Sequence, residues 1–394
     1  MTGTNKNTKS LLSPVQQFIH LEYSSGIILL LSVLLAILWA NSAYHESYHH
    51  FWELKLTLGI EPFVLAMPLH QWVNDCLMAI FFFVIGLELK REFMGGELSS
   101  VKKASLPVMA AIGGMVFPAM IYFLINRGTE AVNGWGIPMA TDIAFALALL
   151  SMSGKHVPVS LKIFLSALAV ADDLGAVMVI AFFYTAELNF MPLFIAGGLL
   201  LVLFAGNQLG VQNRAFFLII GIAVWVGFLL SGVHATIAGV LVAFTIPNKQ
   251  SATGKTSLRK IEDSLHPWVA FLIMPLFALA NAGIIIGADF FLDLINPVSM
   301  GVICGLVIGK FTGILFFTWL MVKLRFAQLP AQATWVHIAG VALLAGVGFT
   351  MSLFISNLAF RIPGFVEQAK YGILTASVLS GITGLLVLKY LKKH

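Results

Sequence analysis

Charge is scarce in this chain. Only 10% of its 394 residues are Asp, Glu, Lys or Arg, against about 25% in a soluble domain. That deficit excludes a solvated globular protein. With 59% hydrophobic residues and a mean hydropathy of +0.93, the chain reads as an all-α polytopic membrane protein. Cysteine is nearly absent as well. Cys76 and Cys304 both fall in apolar stretches, which leaves no disulfide framework and no Cys/His cluster of zinc or copper spacing. No stretch resembles a second, soluble domain, so residues 1–394 read as one integral membrane unit. Behind the polar segment 1–24 there is no short apolar core with a cleavage pattern, and the first apolar run reads as a retained helix. What is abundant fits this class: 35 glycines and 32 phenylalanines, glycine being commoner in membrane helices than in soluble ones.

At roughly 20 residues per span, twelve helices are expected, near 25–40, 68–90, 104–125, 135–153, 157–184, 191–206, 215–229, 232–246, 260–286, 298–322, 334–360 and 368–391. An even number puts both termini on one side. If that side is the cytoplasm, 18 of the 23 Lys and Arg residues fall in inner segments. Lys55, Arg127, Arg361 and Lys370 fall outside, and Lys310 lies within a span. This positive-inside bias supports the count and the orientation. It also assigns the net charge of +5 to topology, with no nucleic acid partner implied.

The longest outer loop, 41–67, contains Phe51-Trp52-Glu53-Leu54-Lys55-Leu56-Thr57-Leu58, then Gly59 and an apolar run. The alternation predicts a small extracytoplasmic β-hairpin. An isolated hairpin is marginal, so pairing with a second subunit through 45–65, giving a homodimer, is expected; an ordered loop lying on the protein's own surface is the alternative. Spans 4 and 11 are poorly built as simple helices. The fourth contains Ile137-Pro138-Met139-Ala140-Thr141-Asp142, and the eleventh Gly346-Val347-Gly348-Phe349-Thr350. Proline removes a backbone donor and disfavours helical geometry in the residue before it. Non-helical backbone at membrane depth persists only where protein or a cavity surrounds it. Two interrupted helices in corresponding halves point to a transporter's binding site; helices merely kinked by Gly and Pro are the plainer reading. Helices 3–5 and 10–12 pair by their spacing as three-helix units.

Five ionisable residues lie well inside predicted spans: Asp75, Asp142, Asp172, Asp173 and Lys310. A charge at bilayer depth costs at least ~2.5–3.5 kcal/mol, and such residues mark ion or proton routes. A structural ion pair would explain any one of them. One lysine cannot neutralise four acids, so some must be protonated, cation-bound or open to water. Adjacent Asp172 and Asp173 point about 100° apart on a helix, so one lines a cavity while the other reaches a neighbouring helix. Carboxylate, hydroxyl and carbonyl oxygens suit a hard cation, and Asp172, Asp173, Asp142 and Thr141 with the unwound carbonyls near Pro138 supply them. If H⁺ and Na⁺ compete for the same carboxylates while access alternates between faces, exchange results without any covalent step. Two protons released per Na⁺ would make the exchange respond to membrane potential.

These strings, Ala140-Thr141-Asp142-Ile143-Ala144-Phe145 and Asp172-Asp173-Leu174-Gly175-Ala176, resemble the NhaA family of bacterial sodium/proton antiporters. So do Gly86-Leu87-Glu88-Leu89-Lys90-Arg91-Glu92, His266-Pro267-Trp268-Val269-Ala270, Ile308-Gly309-Lys310 and Gly346-Val347-Gly348-Phe349-Thr350-Met351-Ser352. The resemblance runs from about residue 12 to the end. That family is itself a standard example of inverted-topology repeats, so the inverted relation of helices 3–5 to 10–12 is inherited from it. It implies that Asp172 and Asp173 form the essential pair, with Asp173 the cation and proton carrier and Na⁺ held at both. Lys310 resembles the lysine that pairs with the first aspartate. Asp142 and Thr141 match the broken fourth helix, and Asp75 an aspartate near the cytoplasmic funnel. Activation at alkaline pH would fall to Glu88, Lys90, Arg91, Glu92, Glu262 and His266, with His234 more remote. An ordinary solvated helix end explains Glu88 and Glu92 as well, and an interfacial structural role explains His266.

The expectation is thus an electrogenic Na⁺(Li⁺)/H⁺ antiporter of the bacterial inner membrane. It would have both termini cytoplasmic, the lipid bilayer as its surroundings, and Na⁺, Li⁺ and H⁺ as cargo; it would not be an enzyme and would need no cofactor. A sodium-coupled solute symporter would require more polar groups than Thr141 and Thr350 add. An intramembrane aspartyl protease needs its aspartates on different helices, and no Gly-x-Gly-Asp string occurs. A passive channel leaves the buried lysine opposite a surplus of acids unexplained.

Overall fold

The computed structural model describes residues 14–60, 63–154, 157–185, 188–248, 256–287 and 290–390. Span 1, Pro14–Ala40, begins earlier than the apolar run alone indicated. After it the chain turns by 114° into His45–Glu53, a short helix seated by buried Tyr48 and Trp52. The expected hairpin comes next as β1 (Lys55–Ile60) and β2 (Phe63–Pro68). They pair antiparallel, with Lys55 opposite Pro68 and Leu58 opposite Leu65; the tip, 61–62, lies outside the described residues, as do Lys6, Lys9, Lys155, Lys249, Lys255, Lys392 and Lys393. Trp72 ties the ribbon down, its indole N–H donating to the Leu56 carbonyl at 3.1 Å.

Span 2, Leu69–Gly95, leaves the hairpin and crosses to the opposite end of the molecule. The other long spans are Val101–Ile125 (span 3), Val159–Phe183 (5), Phe190–Gln208 (6), Arg214–Ser231 (7), Ser257–Asn281 (9), Pro297–Lys323 (10) and Pro363–Tyr390 (12). Span 4 is a 3-10 segment, Glu130–Met139, followed by an α-helix, Ile143–Met152, and span 11 is Trp335–Ala345 followed by Phe349–Ala359. Their bends are nearly equal, 44° and 43°. Each of the twelve expected segments is helical, but the eighth, Ala235–Thr245, has only 11 residues. At 1.5 Å per residue it covers about half a bilayer. By length and composition the described residues give eight spans, or eleven with each bent pair taken as one.

Glycine sets the closest approach between helices. Gly301, Gly305, Gly309 and Gly313 recur every fourth residue on span 10, forming one small-residue stripe of the kind that lets membrane helices touch backbone to backbone. A methyl group on Gly313 would lie 2.1 Å from the Gly113 carbonyl oxygen of span 3, and one on Gly309 would lie 2.7 Å from Pro118 Cα. Neither neighbour is a side-chain tip that swings aside. Gly313→Ala is therefore expected to destabilise by about 1–3 kcal/mol through overpacking, read as a lower thermal-unfolding midpoint. Gly197→Ala, where a methyl meets nothing within 4 Å, should not lower it.

Candidate functional site

The two broken spans meet at their breaks, 140–142 and 346–348. Asp142 N–H donates to the Val347 carbonyl at 2.7 Å, and Ser352 Oγ donates to the Ile137 carbonyl at 2.8 Å. The backbone freed by Pro138 is thus satisfied by the partner break, which is how unwound chain survives at this depth.

Crossing two broken helices brings four helix ends to one place. The N-termini of Ile143–Met152 and Phe349–Ala359 carry partial positive charge, while the C-termini of the segments before them carry partial negative charge. Asp142 answers both positive ends. Its Oδ1 accepts from Phe145 N–H at 3.1 Å, as an N-cap does. Its Oδ2 accepts from Thr350 N–H at 3.0 Å and from the Thr350 hydroxyl. At the negative ends, the Thr141 hydroxyl lies 2.9 Å from the Ala345 carbonyl and 2.8 Å from Asp172 Oδ2. It has one proton for these two acceptors, and accepts in turn from the Lys310 ammonium.

Lys310 comes from span 10, immediately after a π-helical turn, Cys304–Gly309. Such a turn holds one extra residue and rotates the rest of the helix beyond it by about 100°. The Lys310 ammonium donates to Asp172 Oδ2 as well as to Thr141. Lys310 and Asp172 are both wholly buried, so each is expensive without the other. Of the three acids at the crossing, Asp142 is answered by helix ends and Asp172 by Lys310. Asp173 has neither. It is 1% exposed, and its Oδ1 has no hydrogen-bond partner, a state shared by Asp172 Oδ1. Two adjacent carboxylates therefore present unsatisfied oxygens in a dry setting beside Thr141, a donor set that fits a hard monovalent cation or protons.

The residues expected to sense pH divide into groups. Arg91 gathers three acids, with its guanidinium 3.6 Å from Glu88, 2.9 Å from Glu92 and 3.1 Å from Glu262. His266 lies one turn beyond Glu262 on the same helix. Lys90 turns away from this cluster and donates to the Phe244 and Ile246 carbonyls, both at 2.6 Å. There it caps the C-terminus of the short helix Ala235–Thr245, a structural task. His234 also lies apart, its Nε2 2.7 Å from the Tyr184 carbonyl. Asp75 lies apart from both groups. It lines a cavity of about 430 Å³ with Tyr48, His70, Asn281, Asn357 and Lys370, at the hairpin end of span 2. One continuous helix separates Asp75 from the Glu88–Glu92 end, so Asp75 shares the hairpin's end of span 2.

Two sets of residues were missed as site members. Thr350 completes the double cap on Asp142; its signal is a hydroxyl residue in the first turn after Gly348. The Gly301–Gly313 stripe delivers Lys310, and its fourfold spacing is plain in the chain.

A family model described as "Na+/H+ antiporter 1" matches residues 16–388. The chain is similar to the Na(+)/H(+) antiporter NhaA of Oleidesulfovibrio alaskensis, 44% identical over 97% of this chain and 94% of the relative. It is 45% identical to that of Pelagibacter ubique, over 98% of this chain and 99% of the relative. With Na(+)/H(+) antiporter NhaA 1 of Psychromonas ingrahamii it shares 47% identity over 94% and 95%.

Proposed function

The chain belongs to the Na+/H+ antiporter 1 family, and from that membership we propose that it exports Na⁺, and Li⁺, in exchange for protons across the bacterial inner membrane. It is a multi-pass secondary antiporter, not an enzyme, and the sodium–solute symporter alternative finds no support among its relatives. One observation carries the mechanism: Asp173 is buried beside Asp172 without the counter-charge that the other two acids possess. A buried carboxylate without partner is neutral or holds a cation.

In the proton-loaded state Asp173 is protonated and Lys310 stays on Asp172. Loss of the Asp173 proton to the alkaline cytoplasm leaves a carboxylate pair that accepts Na⁺ through the two Oδ1 atoms, with the Thr141 hydroxyl at hand. Sodium at Asp172 competes with the Lys310 ammonium for the same group. The ion-loaded crossing of spans 4 and 11 then opens to the other face, where protons displace Na⁺. If the Lys310 ammonium displaced from Asp172 gives up a second proton as Na⁺ binds, each cycle moves one net charge, and the membrane potential contributes about 2.3 kcal/mol per 100 mV. Activation at alkaline pH is assigned to the Arg91 cluster with Glu88, Glu92, Glu262 and His266, which links spans 2 and 9. The distribution of Lys and Arg supports cytoplasmic termini.

The hairpin's exposed Leu56 and Leu58 on an open two-stranded ribbon support pairing of two copies through 45–65. Removing the ribbon should halve the mass seen by light scattering while exchange continues; an unchanged mass would contradict the pairing.

The function is tested in everted vesicles energised to be acid inside. Added Na⁺ or Li⁺ should dequench a pH-gradient dye at alkaline pH and much less at acid pH. Silence of correctly inserted protein at every pH would overturn the reading.

A further inference from the structure

At the end opposite the hairpin, spans 3, 5 and 10 surround a second cavity, of about 750 Å³. Its rim carries Lys102, Lys103 and Arg325 against a single acid, Glu97. None of these four joins an ion pair among the described residues. Its walls are apolar, with Leu106 and Phe164 buried, and Ile163 and Phe326 facing outward at 45% and 65% exposure. The Ser160 hydroxyl closes the wall by donating to the Ala331 carbonyl.

Two features set this rim apart from lysines that merely obey the positive-inside bias. Lys102 and Lys103 stand in the first turn of Val101–Ile125, which has no acid there and no side-chain cap from Ser100. Cations at a helix N-terminus oppose its dipole, and an anion between them reverses the sign of that interaction. Arg325 has φ 61°, one of two non-glycine residues with positive φ among the described ones. It directly follows Leu324, the C-cap of span 10, where glycine is the usual left-handed residue. An arginine thus stands where the backbone conformation disfavours any β-carbon.

We propose that this cavity binds the phosphodiester headgroup of an anionic membrane lipid, with one acyl chain laid along Ile163 and Phe326. Charge complementarity selects a phosphate. The outward-facing apolar wall selects a lipid over a phosphate ion in solution, and basic pockets between helices on the cytoplasmic side are where such headgroups bind. Span 10, which carries Lys310, ends at Lys323, two residues before Arg325, so the lipid would fix the inner end of the helix that delivers the ammonium to the site.

The test uses detergent-solubilised full-length protein and its thermal-unfolding midpoint. Short-chain phosphatidylglycerol should raise the midpoint by several degrees over phosphatidylcholine of the same chain length, since a ligand of the native state stabilises by mass action. Arg325→Gly relieves the left-handed strain while removing the charge. Its midpoint in phosphatidylcholine should equal or exceed wild type, yet it should lose at least half of the phosphatidylglycerol shift. Lys102→Gln with Lys103→Gln should lose as much, and Arg127→Gln, at the other end, should keep the shift whole. The assignment is overturned if both inner-end variants retain the full shift, if Arg127→Gln loses it equally, or if inorganic phosphate alone reproduces it.

Discussion

Asp173→Asn is expected to abolish Na⁺- and Li⁺-driven proton movement in vesicles and to leave the protein at least as stable as wild type. Both halves have one origin. The Asp173 carboxyl is buried and its Oδ1 makes no hydrogen bond, so it contributes a desolvation cost and no structural bond that an amide would break. The amide has nearly the same shape but neither releases a proton nor carries the charge that holds Na⁺. Transport loss with an unchanged or raised unfolding midpoint separates a carrier from a structural acid. Wild-type exchange in Asp173→Asn would move the carrier role to another carboxylate.

Lys310→Ala is expected to lower stability by about 3–5 kcal/mol, the usual cost of stripping one partner from a buried ion pair. The orphan it creates is specific. Asp172 Oδ2 loses the ammonium and keeps only the Thr141 hydroxyl, while its Oδ1 already lacks a partner. Adding Asp172→Asn removes the orphaned charge, so the double variant should recover most of the loss. Unfolding midpoints of the two single variants and the double variant form a thermodynamic cycle that reads the coupling directly. Additive effects would show that the pair does not act as one unit.

How much of this could be read in the chain depends on the range of the interaction. The breaks in spans 4 and 11 were legible, because Pro138, Gly346 and Gly348 act on the backbone beside them. That the two breaks touch was not, since the contact joins Asp142 to Val347 and Thr350 across some two hundred residues. The surplus of acids could be counted in advance. Which acid each positive group answers could not, and that allocation, helix ends to Asp142 and Lys310 to Asp172, is what singles out Asp173. The π-helical turn before Lys310 leaves no mark in composition, yet it fixes where the ammonium points. That Lys90 faces away from Glu88, Arg91 and Glu92, its neighbours in sequence, follows from the helix, where each neighbour turns about 100° away. That Asp75 shares an end of span 2 with the hairpin follows from where that helix begins, at Leu69. Span 8 met the apolar criterion for a crossing helix, but Ser231, Gly232 and His234 delay its start until Ala235.

The central claim is competition: protons and Na⁺ use the same two carboxylates. Titrating purified protein with Na⁺ in weakly buffered solution at several pH values, and counting the protons released per ion bound, tests it most directly. Linkage fixes the sign, because protonated carboxylates cannot hold Na⁺. Apparent affinity must fall as pH falls, by about tenfold per pH unit for each proton displaced. The account predicts that one to two protons leave with each Na⁺ bound, and that the release disappears in Asp173→Asn. Sodium binding of constant affinity across pH, with no protons released, would contradict it.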